Sequence, residues 1–295
     1  MAGELDSAAE TIYQALAACL PDEEAAAMIR AKPALLADTY RKLLPELKAR
    51  AFTVAGIARA DALQRIRDRI AELPQGADWD EARDDILQTM SPYVVTATDD
   101  EGRAAQMAGA ERHAELLMRQ HAFQAYQAGM YDLMDKQRDA FPYWQYLTVG
   151  DDKVRPSHAA LDKLILPADS PFWATHYPPW DWGCRCQVVP ITASEYAQIA
   201  AGESPADGRT LSPAQMRELE RSNRLALPDG QVISVAPPQG EGAFAWHPGD
   251  LRIPLDDLRS HYDDEVWRRF EADMRSVYVE MPDGKMSVWD WLSRQ

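Results

Sequence analysis

The chain has 295 residues and a formal net charge of −16 at pH 7. Its length allows one large domain or two smaller ones around a sizeable core. An acidic surface repels the negatively charged phosphates of DNA. Contacts from Lys and Arg normally supply most of the nonspecific affinity for DNA. We therefore do not expect the free chain to wrap DNA, and the charge favours solubility.

The composition predicts a chain that contacts no membrane. No apolar run approaches the roughly 20 residues that a spanning helix needs. The N-terminal stretch 1–6 carries acids where a secretory signal carries Lys or Arg, so we expect the chain to be cytosolic where it is made. Three cysteines do not make a disulfide framework in a chain of this length, and Cys19 is expected to be a buried helical thiol.

Residues 7–70 have the pattern of helices separated by turns. Pro21 is followed by acidic residues, as at the first turn of a helix. Asp78 comes directly after a Pro- and Gly-containing turn and is expected to cap the next helix. A helix is predicted over residues 61–73, because apolar residues recur there at three- and four-residue spacing. Leu63, Ile66 and Ile70 are expected to form one buried stripe on it.

A long helix is predicted over residues 103–139, with a break at Gly129 as the alternative. Its apolar residues recur at helical spacing and are expected to face a core rather than a cofactor. The predicted stripe comprises Met107, Ala110, Ala114, Leu117, His121 and Ala125, widened by Leu116, Phe123, Tyr126, Met130 and Leu133.

The composition changes over residues 141–191, which are dense in Trp, Tyr, Pro and Cys. Short strands are predicted at residues 146–149 and 187–189, separated by Gly-, Asp- and Pro-rich turns. Aromatic residues this close to Pro-Pro turns favour a small core built from few large side chains. The aromatic residues assigned to that core are Tyr143, Trp144, Tyr146, Trp173, Tyr177, Trp180 and Trp182.

The remaining residues are predicted to be an extended, loosely packed C-terminal tail with a linker at 237–242, a helix around 263–274 and a hairpin over 278–286. The fold class is therefore α+β, with a helical N-terminal region, a long helix and a compact aromatic-rich centre with short strands. The expected regions are 1–100, 101–196 and 197–295.

Four candidate metal ligands lie close together in the sequence of the centre: His158, His176, Cys184 and Cys186. Imidazole and thiolate are ligands that zinc prefers, and alternate residues of an extended strand share one face. Paired zinc cysteines are usually separated by two or more residues, however, so the spacing is a weak signal. The alternative is that His158 bonds a backbone carbonyl while the cysteines pack as small apolar groups.

Catalysis by the same residues is a second alternative. A cysteine and a histidine could form a thiolate–imidazole pair, and His158 with Asp151 or Asp152 could form a metal-dependent nuclease site. The sequence contains no Gly-rich phosphate loop, no adjacent-turn His pair and no recognisable oxyanion element. We therefore expect no enzymatic activity.

A series of motifs resembles, in order, the phage Mu F-like head morphogenesis family. The most specific block begins at residues 146–162 and ends in the Cys-x-Cys motif at 184–186. Flanking matches at 51–56, 119–130 and 244–249 extend the resemblance to most of the chain. The chain departs from the family pattern in turns, at Lys163, Trp180-Asp181 and His247. The motif residues that carry a structural role in this resemblance are Arg155, Pro156, Trp173, Pro178, Pro179, Trp182 and Gly183.

The resemblance implies a minor head protein of a tailed phage. Members of the family are similar to proteins bound to the portal or the major capsid protein in the interior of the head near the portal vertex, after assembly in the host cytoplasm. They assist head assembly and DNA packaging or ejection, with indirect contact to packaged DNA and no small-molecule substrate. A metal-dependent nuclease and a DNA-end-binding factor remain the alternatives.

Overall fold

The computed structural model describes residues 22–203, 207–238, 247–249, 255–281 and 284–294. Cys19, most of the predicted linker and the first part of the late motif lie outside these residues. The chain forms two compact units, one of Met1–Tyr126 with Gly249–Gln295 and one of Gln127–Pro248. The boundaries of these units differ from those of the three predicted regions. The C-terminal segment Gly249–Gln295 belongs to the same unit as Met1–Tyr126.

The N-terminal part of the first unit is helical, as predicted. Asp78 caps a helix by accepting a hydrogen bond from the backbone N–H of Glu81 at 2.9 Å. The predicted stripe Leu63, Ile66 and Ile70 is buried in one apolar core. The helices are α1 (Asp22–Arg30), α2 (Ala37–Arg41), α3 (Ala60–Ile70) and α4 (Trp79–Val94), with 3-10 turns at Pro45–Arg50 and Leu73–Gln75.

Helix α5 (Asp100–Lys136) is 37 residues long and continues through Gly129. Part of the predicted stripe is buried, at Ala110, Ala114, Leu117 and Ala125. Met107 and Leu133 were assigned to this stripe wrongly, because they are 37% and 49% exposed. None of the helices within the described ranges has the length and apolar character that crossing a bilayer demands.

The second unit contains a three-stranded antiparallel sheet, in which β1 (Tyr143–Leu147) lies between β2 (Ile165–Pro167) and β3 (Gln187–Ile191). In its register, Gln145 of the central strand pairs with Ile165 on one side and Val189 on the other. The two predicted strands are present with shifted ends, whereas the short edge strand at 165–167 was not predicted. The elements are β1 (Tyr143–Leu147), α6 (Pro156–Ala159), β2 (Ile165–Pro167), α7 (Trp173–His176) and β3 (Gln187–Ile191).

Helical and hairpin segments follow this sheet. Thr192 and Ser212 form capping boxes, which fix the starts of the next two helices. Leu219 and Leu225 from this part are buried with the aromatic residues of the centre, so the region after residue 197 is packed and not loose. The elements are α8 (Ala193–Ala200), α9 (Pro213–Ser222), β4 (Arg224–Ala226) and β5 (Val232–Ser234).

The C-terminal segment is also folded, contrary to the expected extended tail. Trp267, Phe270 and Trp291 are buried in one cluster with Leu43 and Leu47 of the same unit. The predicted helix and hairpin are both confirmed, since Tyr278 pairs with Ser287 across the hairpin. The elements are α10 (Leu255–Arg259), α11 (Asp264–Ser276), β6 (Tyr278–Met281), β7 (Gly284–Ser287) and α12 (Val288–Leu292). Helices and small antiparallel sheets together confirm the α+β class.

Candidate metal centre

Three of the four candidate ligands converge in the core of the second unit. His158 lies on α6, and Cys184 and Cys186 lie in the loop that leads into β3. One ligand atom from each of the three residues lies within 4.8 Å of the other two. The three residues are 2%, 6% and 3% exposed, so the group is closed to solvent.

The imidazole of His158 faces this group through Nδ1. Its Nδ1 is 3.4 Å from Cys186 Sγ, 3.6 Å from Cys184 Sγ and 3.4 Å from the hydroxyl oxygen of Tyr146. The other nitrogen, Nε2, is buried and makes no hydrogen bond within the described part of the chain. Nδ1 is therefore the nitrogen that is positioned to bind a ligand.

Trp180 holds the ring of His158 in place. The two rings stack with centroids 3.9 Å apart and an angle of 10° between their planes. The indole N–H of Trp180 donates to the Tyr146 hydroxyl oxygen at 2.8 Å. The stacked Trp180 ring and the hydrogen-bonded Tyr146 hydroxyl leave the imidazole of His158 little freedom to turn. Its Nδ1 therefore stays directed at the two cysteines.

The two thiols ionise unequally because they are close together. Burial opposes ionisation of Cys184, but hydrogen bonds from Cys186 and His158 outweigh burial and hold the pKa of Cys184 well below its ordinary value. The hydrogen bond to Cys184, together with burial, raises the pKa of Cys186. Burial also raises the pKa of Tyr146, so its hydroxyl stays protonated and donates toward Cys186. The surroundings therefore favour negative charge on the sulfur of Cys184 and oppose it on that of Cys186.

His176 does not join this group, although the sequence placed it among the ligands. Its Nε2–H donates to the carbonyl of Val235 at 2.8 Å, and its Nδ1 accepts from the Thr175 hydroxyl at 2.8 Å. Burial lowers the pKa of His176 to about 4, partly opposed by the hydrogen bond to the carbonyl of Val235. The ring is thus a neutral core group with both nitrogens occupied.

The candidate nuclease carboxylates are on the surface. Asp151 forms a bidentate ion pair with Arg185 at 2.6 and 2.7 Å, and Asp152 is exposed. The described His, Cys, Asp and Glu residues that could share a metal ion form one group, which contains no carboxylate. A hydrolytic site built from His158 and either aspartate does not form in this arrangement.

The predicted structural motif residues frame the centre. Arg155 precedes α6, donates to the carbonyl of Trp182 at 2.6 Å and pairs with Asp181 at 3.2 Å. Pro156 opens α6, where its missing N–H costs nothing. Gly183 has a φ of 66°, which a side chain would strain. The bond between Pro178 and Pro179 is cis.

The aromatic core is confirmed for five of the seven residues assigned to it, because Tyr143 is only half-buried and Trp182 is exposed. Trp144, Tyr146 and Tyr177 are fully buried, and Trp173 is 3% exposed with its N–H donating to the carbonyl of Pro167 at 2.9 Å. Trp182 was assigned to this core wrongly, because its side chain is 44% exposed.

Lys163, one of the positions at which the chain departs from the family pattern, lies in a turn. It adopts a φ of 62°, the left-handed region that glycine occupies without strain. Its backbone N–H nevertheless bonds the carbonyl of Tyr146 at 2.7 Å. The departure therefore leaves the fold of the turn intact.

Sequence reasoning missed the roles of Tyr146 and Trp180, which it placed only in the core. The Gln127 side chain was also missed, although its Nε2 donates to the carbonyl of Cys186 at 3.4 Å. These residues come from a strand, a loop and α5, so no spacing rule connects them to the cysteines.

The chain is similar in sequence to known phage and prophage proteins. Residues 48–189 match the family model described as Phage Mu protein F like protein. "Putative capsid assembly protein F" of Escherichia phage Mu is 31% identical over 263 residues, which cover 84% of this chain and 58% of the relative. "Mu-like prophage FluMu F protein" of Haemophilus influenzae is 36% identical over 163 residues, which cover 54% of this chain and 38% of the relative.

The chain spans about half the length of the curated relatives it matches. No solved structure matches the chain. The matched family segment contains α5, the three-stranded sheet as far as Val189 and the whole His/Cys group. Over residues 48–189, the chain therefore matches the Phage Mu protein F like family.

Proposed function

We propose that the chain is a minor structural protein of a tailed-phage head, bound to portal or major capsid subunits at the inner face of the capsid. In this role it assists head assembly and the packaging or ejection of DNA. The observation that carries the proposal is the alignment of 84% of the chain with a relative named for capsid assembly. The portal contact and the packaging step go beyond that name and are part of the proposal.

The architecture of the centre supports a structural role over a catalytic one. A substrate phosphate would need access to His158 and to a nearby metal-binding carboxylate. His158 is 2% exposed, and Asp151 is held by Arg185 in a surface ion pair. The burial of this block is what a scaffold requires, since it fixes the surface that other subunits contact.

The charge of the chain argues against direct binding of DNA ends. The chain has 31 basic and 47 acidic residues, so its formal net charge is −16 at pH 7. Such a chain repels the phosphate backbone at low salt, where DNA-binding proteins gain most affinity. We therefore propose that contact with packaged DNA is indirect and that protein subunits are the direct partners.

Particles test this proposal. Heads from the phage or prophage that encodes the chain are purified by density gradient, and the chain is quantified against the portal and major capsid proteins by mass spectrometry. We expect the chain in the heads at a fixed, low ratio to the major capsid protein, and a lower yield of intact heads after deletion of its gene. Crosslinking within intact heads should connect it to portal or major capsid subunits.

Two results would contradict the proposal. One is particles that lack the chain and form normally without its gene. The other is chelator-sensitive cleavage of DNA by the purified chain that His158→Ala abolishes while the fold, measured by circular dichroism, is unchanged. The second result would establish the nuclease alternative.

A further inference from the structure

Polar atoms crowd around one nitrogen in the core of the second unit. His158 Nδ1 has Cys184 Sγ, Cys186 Sγ and Tyr146 Oη at 3.4 to 3.6 Å. A neutral imidazole nitrogen offers a single lone pair or a single proton, so it cannot satisfy three such neighbours by hydrogen bonds. A cation between the nitrogen and the sulfurs would satisfy both thiolates and the lone pair together.

The spacing of the three atoms suits a tetrahedral zinc ion. Zinc binds sulfur at about 2.3 Å and imidazole nitrogen at about 2.0 to 2.1 Å, so tetrahedral angles separate the nitrogen and each sulfur by roughly 3.6 Å. The observed separations of Nδ1 from Cys186 Sγ and Cys184 Sγ are 3.4 and 3.6 Å. The nitrogen–sulfur separations therefore already match those of a zinc site to within about 0.2 Å.

We propose that His158 Nδ1, Cys184 Sγ and Cys186 Sγ bind one zinc ion. Soft thiolates with imidazole select zinc over magnesium or calcium, which prefer oxygen ligands. Two thiolates balance the charge of the dication, which keeps the buried centre electrically neutral. This site is independent of the proposed function, because a structural ion could serve a head protein or any other.

The neighbouring groups form the outer shell that such an ion requires. The Tyr146 hydroxyl accepts from the Trp180 N–H and donates toward Cys186, and Trp180 also stacks on the ring of His158. Outer-shell partners of this kind orient the ligands and tune affinity for the metal. Tyr146→Phe should therefore weaken zinc affinity by about 10- to 100-fold without removing a ligand.

The ion would act as a clip between α6 and the loop before β3. His158 and Cys184 are separated by 26 residues in the sequence. The intervening segment carries Trp173, Tyr177 and Trp180, all buried. Closing a loop of this length with a metal removes conformational freedom from the unfolded chain, which stabilises the folded block.

The test uses the full chain without a polyhistidine tag, expressed with added zinc and purified under reducing conditions without chelator. Mass-spectrometric metal analysis should find about one zinc per chain, as a single three-residue ligand set predicts. Replacement of zinc by cobalt should give the near-ultraviolet absorption of thiolate–cobalt bonds. His158→Asn and the double variant Cys184→Ser/Cys186→Ser should lose the metal.

His176→Gln is the matched control, because it alters a buried histidine of the same core that lies outside the group. It should retain the zinc and the cobalt absorption. Wild-type protein that contains no zinc and shows no thiolate–cobalt absorption would overturn the proposal, even where the ligand variants fail to fold. Loss of the metal in His176→Gln, or a disulfide between Cys184 and Cys186 in protein alkylated at lysis, would also overturn it.

Discussion

Trp173→Ala is expected to destabilise the second unit strongly. The indole is 3% exposed, with ring centroids 5.6 Å from Trp144 and 5.4 Å from Phe172. Removing a buried Trp side chain costs about 3–5 kcal/mol through lost burial and the cavity that remains. The carbonyl of Pro167 also loses the hydrogen bond from the indole N–H, which adds about 1 kcal/mol. We therefore expect a loss of about 4 kcal/mol or more.

Urea unfolding followed by near- and far-ultraviolet circular dichroism measures this loss. Trp182→Ala is the matched control, because Trp182 belongs to the same block but is 44% exposed. We expect the control to lose less than about 1 kcal/mol. Trp173→Phe keeps an aromatic ring but removes the N–H that bonds the carbonyl of Pro167. Its loss of unfolding free energy should lie between those of the two alanine variants. A loss below about 1 kcal/mol in Trp173→Ala, or an equal loss in both alanine variants, would refute the assignment of Trp173 to the core.

Three further perturbations address the buried charges and a helix cap. Burial lowers the pKa of His176 to about 4, so the unfolded chain binds more protons below pH 6.5. This residue alone should lower the free energy of unfolding by about 2 kcal/mol between pH 7 and 5, and the fall measured in urea titrations should be smaller by that amount in His176→Gln. Burial likewise lowers the pKa of Lys32 to about 8, so stability should rise between about pH 8 and 10, and a rise that persists in Lys32→Met would contradict this assignment. Asp263 accepts backbone hydrogen bonds from Glu265 and Val266 at the start of α11, so Asp263→Ala should cost about 1 kcal/mol in thermal unfolding, and an unchanged midpoint would count against the cap.

Local structure was largely predictable, because short-range patterns encode it. The spacing of Leu63, Ile66 and Ile70 predicted a buried helical face, and all three are buried. Asp78 was recognised as a cap from its place after a turn, and it accepts the expected backbone hydrogen bond. In each example the physical cause lies within a few residues of its effect.

Long-range packing was not predictable in the same way. The C-terminal Trp267 and Phe270 were expected in a loose tail, but they are buried in the cluster that contains Leu47. Leu133 follows the helical spacing of the buried residues and is nevertheless 49% exposed. Periodicity shows that a helix has an apolar face, but neighbouring elements decide how much of that face they cover.

For the candidate metal centre, the sequence by itself determined the residue types: soft ligands within an aromatic block that resembles one phage family. Only the tertiary structure decided which residues meet. It places His158 against Cys184 and Cys186, and it occupies both nitrogens of His176 with Val235 and Thr175. The physical reason is that ring direction and hydrogen-bond partners are set by elements distant in the chain, and no spacing along the sequence records them.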